Sequence, residues 1–209
     1  MANPTQIVLE NVRLSYVHVF KPFANDPAQE AKYSTTILIP KANQKNKANL
    51  DAAIAAAMAA GKNGKWNGIV PPIVPNPVHD GDGVKQDGTP FGPECKGCWV
   101  MTASSPAERP IEIVDRNMQR IIDATQVYSG CYANVCVNFY AYAFQSKKGI
   151  GAGLGPIQKV ADGESLGGGA PSADSCFTAL GAAPAEGGFG KMGQSVSAGQ
   201  INPLTGMPM

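Results

Sequence analysis

Residues 131–144 alternate more strictly than any other stretch of the chain. Odd positions carry Ala133, Val135, Val137, Phe139, Ala141 and Ala143, and even positions carry Tyr132, Asn134, Cys136, Asn138, Tyr140, Tyr142 and Phe144. Successive side chains of a strand point to opposite faces, so a period of two predicts a strand with two unlike faces. The small aliphatic set suits a core. The other face collects three tyrosines, a phenylalanine and two amides, and Lys147 and Lys148 follow at once.

The rest of the folded region fits around that strand. Residues 6–20 read as a strand with Val12, Leu14 and Tyr16 on one face and Arg13 and Ser15 on the other. Lys32 to Ile39 is a β-branched strand that begins at Lys32 and Tyr33 and is closed by Pro40. Residues 43–60 form the one strong helix: alanine-rich, with Asn caps, an apolar stripe of Leu50, Ile54, Ala57 and Met58, and Gly61 as its stop. Lys41, Lys45 and Lys47 crowd its N-terminal end, where the helix dipole does not favour cations, so they are assigned to solubility or a polyanion. Residues 61–96 hold seven Gly and six Pro and read as a long irregular stretch. Strands resume at 97–103 and 111–114, a helical turn falls at 123–130, and a last short strand starts near Gly149. Five or so mostly antiparallel strands with one inserted helix match a small Greek-key barrel of the OB type.

Composition separates a body from a tail. In residues 1–160, 16 Lys and Arg stand against 12 Asp and Glu, while residues 161–209 hold 1 against 4. Residues 161–209 also contain eleven Gly, eight Ala and four Pro, with Phe177 and Phe189 as their aromatics. Such a segment buries too little surface to offset ordering entropy. The expected organisation is one OB-fold domain over 1–164 and a flexible Gly/Ala-rich tail over 165–209. No apolar run is long enough for a membrane span, and the N-terminus lacks signal-peptide features, so a cytosolic protein with reduced thiols is expected.

Catalysis has little to build on, with two histidines and no paired carboxylates, so no enzyme is expected. Cys95-Lys96-Gly97-Cys98 has no second CxxC and no βαβ context, which leaves two reduced cysteines and no metal. Asp80, Asp82 and Asp87 do not match a calcium loop. Gly149-Ile150-Gly151-Ala152-Gly153-Leu154-Gly155 fails the dinucleotide fingerprint and reads instead as a turn and strand where another backbone passes closely. No cofactor is implied. An aromatic face beside lysines is what a single-strand binder requires: bases stack on rings whatever their identity, and lysines neutralise phosphates. Spacing alone leaves a second reading open, in which the tyrosines pack under the helix or the long loop, or against a protein partner of an adaptor.

The ordered set Val12-Arg13-Leu14-Ser15-Tyr16, Lys32-Tyr33-Ser34 through Ile39-Pro40-Lys41, Val114-Asp115-Arg116-Asn117, Val127-Tyr128-Ser129-Gly130-Cys131-Tyr132, Val137-Asn138-Phe139-Tyr140-Ala141-Tyr142, Lys148-Gly149-Ile150 with Gly153-Leu154, and Ile157-Gln158-Lys159-Val160 with Asp162-Gly163-Glu164 resembles a phage single-stranded DNA-binding family. That family was first catalogued as a domain of unknown function and is related to the single-stranded DNA-binding proteins of podovirus replication. The resemblance implies an OB fold, sequence-independent binding of single-stranded DNA in the host cell cytoplasm, a role in phage replication, recombination or repair, partners among those proteins, and assembly of copies along DNA. The residues themselves suggest stacking on some of Tyr132, Tyr140, Tyr142, Phe144 and Trp99, with Tyr33 in the same set, and phosphate contacts from Arg13, Lys32, Arg116, Lys147 and Lys148; the resemblance strengthens the case for the even-face aromatics. The last residues, 201–209, carry no acid, which puts recruitment of replication enzymes by an acidic tip in doubt.

Overall fold

The computed structural model describes residues 3–24, 26–85, 87–144 and 147–167. The tail expected over 165–209 lies outside the described residues from 168 onward. Seven strands and one helix follow in order: β1 (Gln6–Phe23), β2 (Lys32–Pro40), α1 (Gln44–Asn63), β3 (Val78–Asp80), β4 (Cys98–Pro106), β5 (Ile113–Val114), β6 (Tyr132–Phe144) and β7 (Lys147–Ala161). No helix among the described residues is long and apolar enough to cross a membrane.

β1 is the hub: it pairs antiparallel with β2 on one side and with β6 on the other. β2 pairs with β4, and β6 pairs with β7. A parallel contact at Ser104 and Gly153 then joins β4 to β7 and closes a five-stranded barrel. Closure in the order β1-β2-β4-β7-β6 is the OB topology, with α1 inserted between the second and third barrel strands. β3 extends the sheet beyond β4, and β5 runs parallel to β7.

The odd positions of β6 fill the barrel as the alternation requires: Ala133, Val135, Val137 and Phe139 are buried. They meet Leu9, Leu14, Ile37, Met101 and Ile157 in one core. α1 packs on this core through Leu50, Ala53, Ile54 and Ala57. Asn43 caps it, accepting from the Asn46 N–H at 3.0 Å. The helix runs through Gly61 rather than stopping there. A Cβ on Gly61 would lie 2.5 Å from the Ala141 Cβ and 3.1 Å from the Trp66 ring, so glycine is needed for close approach to β6. Trp66 is fully buried, and its indole N–H donates to the Tyr142 carbonyl at 3.0 Å.

Two features of β1 depart from simple alternation. Register shifts occur between Leu9 and Val12 against β6 and between Ser15 and His18 against β2. Each bulge carries a residue with positive φ, Asn11 at 49° and Tyr16 at 48°. The second bulge separates Tyr16 from Val12 and Leu14, with which it should have shared a face: Tyr16 is 68% exposed and Ser15 is buried. The last strand is also longer than its sequence implies, with fifteen residues instead of a short run.

Candidate nucleic-acid interface

The outward face of the β6–β7 hairpin is built from two complementary rows. β6 supplies Tyr140 and Tyr142, and register places Gly151 and Gly149 directly opposite them. The rings lie across those glycines. A Cβ on Gly151 would sit 2.7 Å from the Tyr140 Cζ, and one on Gly149 would sit 2.6 Å from the Tyr142 hydroxyl oxygen. Gly153 continues the row beside the Tyr140 ring. The glycine run is therefore a bed for aromatic rings, with no side chain of its own to lift them. Tyr140 remains 45% exposed, Tyr142 is half-buried, and Phe144 is 68% exposed at the tip opposite Lys147.

This hairpin is electrostatically one-sided. No Asp or Glu occurs between Asp123 and Asp162, and the hairpin carries Lys147, Lys148 and Lys159. Among the described residues Lys147 and Lys148 make no ion pair, whereas Lys159 binds Asp162 at 2.7 Å. Exposed rings beside unpaired cations can hold bases by their π faces and phosphates by charge.

The structure brings Tyr140, Tyr142, Phe144 and Lys147 onto one face of the hairpin, turns Lys148, paired with Ala143, to the other face, and disperses the other sequence candidates. Tyr132 lies at the opposite end of β6, with its ring beside Gly163 and the Arg13 guanidinium 6.0 Å from its centroid. Arg13 itself donates to the carbonyls of Gly130 at 3.2 Å and Glu164 at 2.7 Å, which pins residues 163–165 to the barrel. Trp99 sits on β4 opposite Ile39 and Asp80, with the Lys41 and Lys47 ammonium groups 4.9 and 5.1 Å from its ring. Tyr33 lines a separate cleft with Phe20, Ile111 and Arg120, and Lys32 is exposed next to it at the start of β2. Arg116 is exposed in the turn after β5.

The lysines at the start of α1 are ion-paired. Lys41 meets Asp80 at 2.5 Å and Asp82 at 2.7 Å, Lys45 meets Glu10 at 2.8 Å, and Lys47 meets Asp51 at 2.5 Å. The hydrogen bonds that the Lys41 ammonium donates to Asp80 and then Asp82 raise the Lys41 pKa, and the same bonds lower both carboxylates. Cys95 and Cys98 are free thiols, and Cys95 packs with Leu38 and Val100 under Leu166. Burial, then the charge of Glu94, pushes the Cys95 thiol up to about 11. Among the described residues no group of three or more His, Cys, Asp and Glu is placed to hold a metal ion.

Sequence reasoning missed what lies next to Tyr140. A groove of about 450 Å³ runs where β4 meets β7, bordered by Tyr140, Asn138, Ser104, Arg109 and the N-terminal Asn3. Only the even-face position of Asn138 was visible in advance. Arg109 belongs to a loop without pattern, and closure of the barrel is what brings it near β6.

A closed Greek-key barrel with an aromatic, acid-free outer hairpin defines an OB-fold binding protein. Comparison with known proteins agrees. A family model described as Enterobacter phage Enc34, ssDNA-binding protein, matches residues 5–187, and the chain belongs to that family. The family is one of DNA-binding proteins, not enzymes. A curated relative, putative protein p50 of Acyrthosiphon pisum secondary endosymbiont phage 1, is 32% identical over 174 residues, covering 78% of this chain and 88% of its own. Two solved structures of the single-stranded DNA-binding protein from bacteriophage Enc34 are similar. The one in complex with ssDNA has 28% identity and a TM-score of 0.65, covering 78% of this chain and 90% of that one. The other has 26% identity and a TM-score of 0.62, covering 83% and 90%.

Proposed function

We propose that this chain binds single-stranded DNA without sequence preference, with bases stacking on Tyr140 and Tyr142 and phosphates meeting Lys147 on the same face, and Lys148 where the backbone passes round the hairpin tip. The observation that carries the reading is the pair of tyrosine rings packed against Gly151 and Gly149 on the face that carries the unpaired Lys147, in a member of a phage ssDNA-binding family. Stacking tolerates any base because every base has a π face, and ring contact adds about 1–3 kcal/mol per base. Phe144 extends the aromatic row to the hairpin tip. Tyr132, Trp99 and Tyr33, with Arg13, Lys32 and Arg116, lie apart from this row and belong to a longer path or to the fold. Work of this kind protects strands exposed during phage replication, recombination or repair, in the host cell cytoplasm, where partner proteins of those processes and neighbouring copies would meet it on the DNA.

The test is fluorescence anisotropy with a labelled oligothymidine of about 30 nucleotides, compared with duplex DNA and with RNA of the same length, at two salt concentrations. Salt-sensitive binding to the single strand, with weaker binding to duplex, is the expected result. No binding at low salt would overturn the reading and leave the aromatic face as a protein-docking surface.

A further inference from the structure

We infer that the groove beyond Tyr140 is a subsite for one phosphodiester of the bound strand, recognised by Arg109, Asn138 and Asn3; the inference rests on the proposed path over the tyrosines. Along β6, Asn138 follows Tyr140 and Tyr142 on the same face, at steps of about 6.6 Å. The strand that leaves the Tyr140 ring therefore meets Asn138 next. Gly153 stands opposite Asn138 on β7 and opposite Ser104 on β4, so no side chain walls off the groove at that crossing.

Two of the three amides that border the groove, Asn138 and Asn3, have their oxygens already used, while Gln6 donates from its NH2 to the Cys136 sulfur at 3.3 Å. The Thr5 hydroxyl lies 2.8 Å from both the Asn138 Oδ1 and the Asn3 Oδ1, and since the Asn3 Oδ1 already accepts from the Thr5 N–H at 3.1 Å, the one hydroxyl hydrogen is assigned to Asn138. Asn138 and Asn3 thus each keep an NH2 group for a ligand. Arg109 lies in the exposed loop after β4. Its N–H donates to the Pro106 carbonyl at 3.0 Å, and its carbonyl accepts from the Ser105 hydroxyl at 3.0 Å, so the loop is held through the backbone of Arg109 and not through its side chain. Among the described residues the guanidinium makes no hydrogen bond or ion pair. No Asp or Glu borders the groove. Amide and guanidinium donors without a carboxylate fit an anionic acceptor, and a phosphodiester supplies two such oxygens. The tyrosines would hold bases; this pocket would fix the backbone's direction where the strand leaves them.

Arg109→Gln and Asn138→Asp test the subsite. Arg109→Gln removes one cation and leaves both loop bonds. Asn138→Asp keeps the acceptor for Thr5 but replaces the donor with a carboxylate. Binding of the 30-mer oligothymidine is measured across salt concentrations alongside a Tyr140→Ala/Tyr142→Ala variant, with a thermal melt for each protein. The expected result is about tenfold weaker binding for Arg109→Gln, with a salt slope shallower by about 0.7, and a larger loss for Asn138→Asp, all at unchanged melting temperature. Wild-type affinity and slope in both groove variants, with the tyrosine variant weakened, would overturn the subsite and leave the stacking reading intact. Wild-type behaviour in all three would overturn both.

Discussion

If the glycines of β7 exist to let the rings pack close against the strand, then adding a single methyl group against Tyr140 should cost binding without costing stability. Gly151→Ala places a Cβ 2.7 Å from the Tyr140 Cζ and 2.9 Å from its Cε2 and hydroxyl oxygen. Ordinary carbon contacts begin near 3.5 Å, so the ring must rise by several tenths of an ångström or rotate away. Tyr140 is 45% exposed and free to do so. The fold itself loses little, and the exchange of glycine for alanine in a strand is worth about 0.5–1 kcal/mol in the stabilising direction. Binding is different, because the ring no longer presents its face in register. The ceiling is the loss of one stacked base, about 1–3 kcal/mol, or roughly 5- to 150-fold in Kd. Anisotropy titrations of the wild type, Gly151→Ala, Tyr140→Ala and the double variant form a cycle. Gly151→Ala should weaken binding by no more than Tyr140→Ala does, and in the Tyr140→Ala background it should add almost nothing. Wild-type affinity for Gly151→Ala, or a full additive loss in the double variant, would refute the bed-and-ring argument.

Further expectations follow from other contacts. Trp66→Ala removes a fully buried indole that joins α1 to the end of β6, and should lower stability by about 3–5 kcal/mol in a denaturant melt; a cost below 1 kcal/mol would mean that the region repacks. Cys95, with its thiol pushed up to about 11, stays almost entirely protonated at pH 8; iodoacetamide should leave it unlabelled in the native protein and label it on unfolding. Because that folded-state pKa is raised, its contribution to stability is present below the ordinary thiol pKa and is lost as the pH climbs through about 11, so an alkaline melt should fall there. A chain ending at Ala161 lacks the Glu164 carbonyl that Arg13 binds and the Leu166 contact with Leu38 and Val100; it should melt below one ending at Gly167, and equal melting temperatures would show those contacts to be idle.

How much of this was legible beforehand depended on where the information lay. The β6 alternation determined both the core face and the aromatic face, because period two is a local property of one strand. Helix α1 announced itself by alanine content and caps, but its end did not: Gly61 reads as a stop until Ala141 and Trp66 are seen pressed against it. β7 hid because strand signals rest on branched side chains, and its alternate positions are glycines whose volume is supplied by β6. The bulge that turns Tyr16 outward leaves no trace in hydrophobic pattern. Asp80, Asp82 and Glu10 are 39, 41 and 35 residues from the lysines they bind, so their pairing could not be read from the crowding at the start of α1. Trp99 was legible as an aromatic by residue type, but the Lys41 and Lys47 ammonium groups over its ring were not. Arg109 carried no local signal, since only barrel closure makes it part of a groove.

The central claim is that a single strand runs over the β6–β7 hairpin with bases on Tyr140 and Tyr142. The most direct measurement is the affinity of Tyr140→Ala/Tyr142→Ala for a 30-mer oligothymidine, taken beside the wild type at low and moderate salt. Two lost stacking contacts predict a weakening of about 2–6 kcal/mol with an unchanged salt slope, because the lysines remain. Equal affinity of a folded double variant and the wild type would contradict the account.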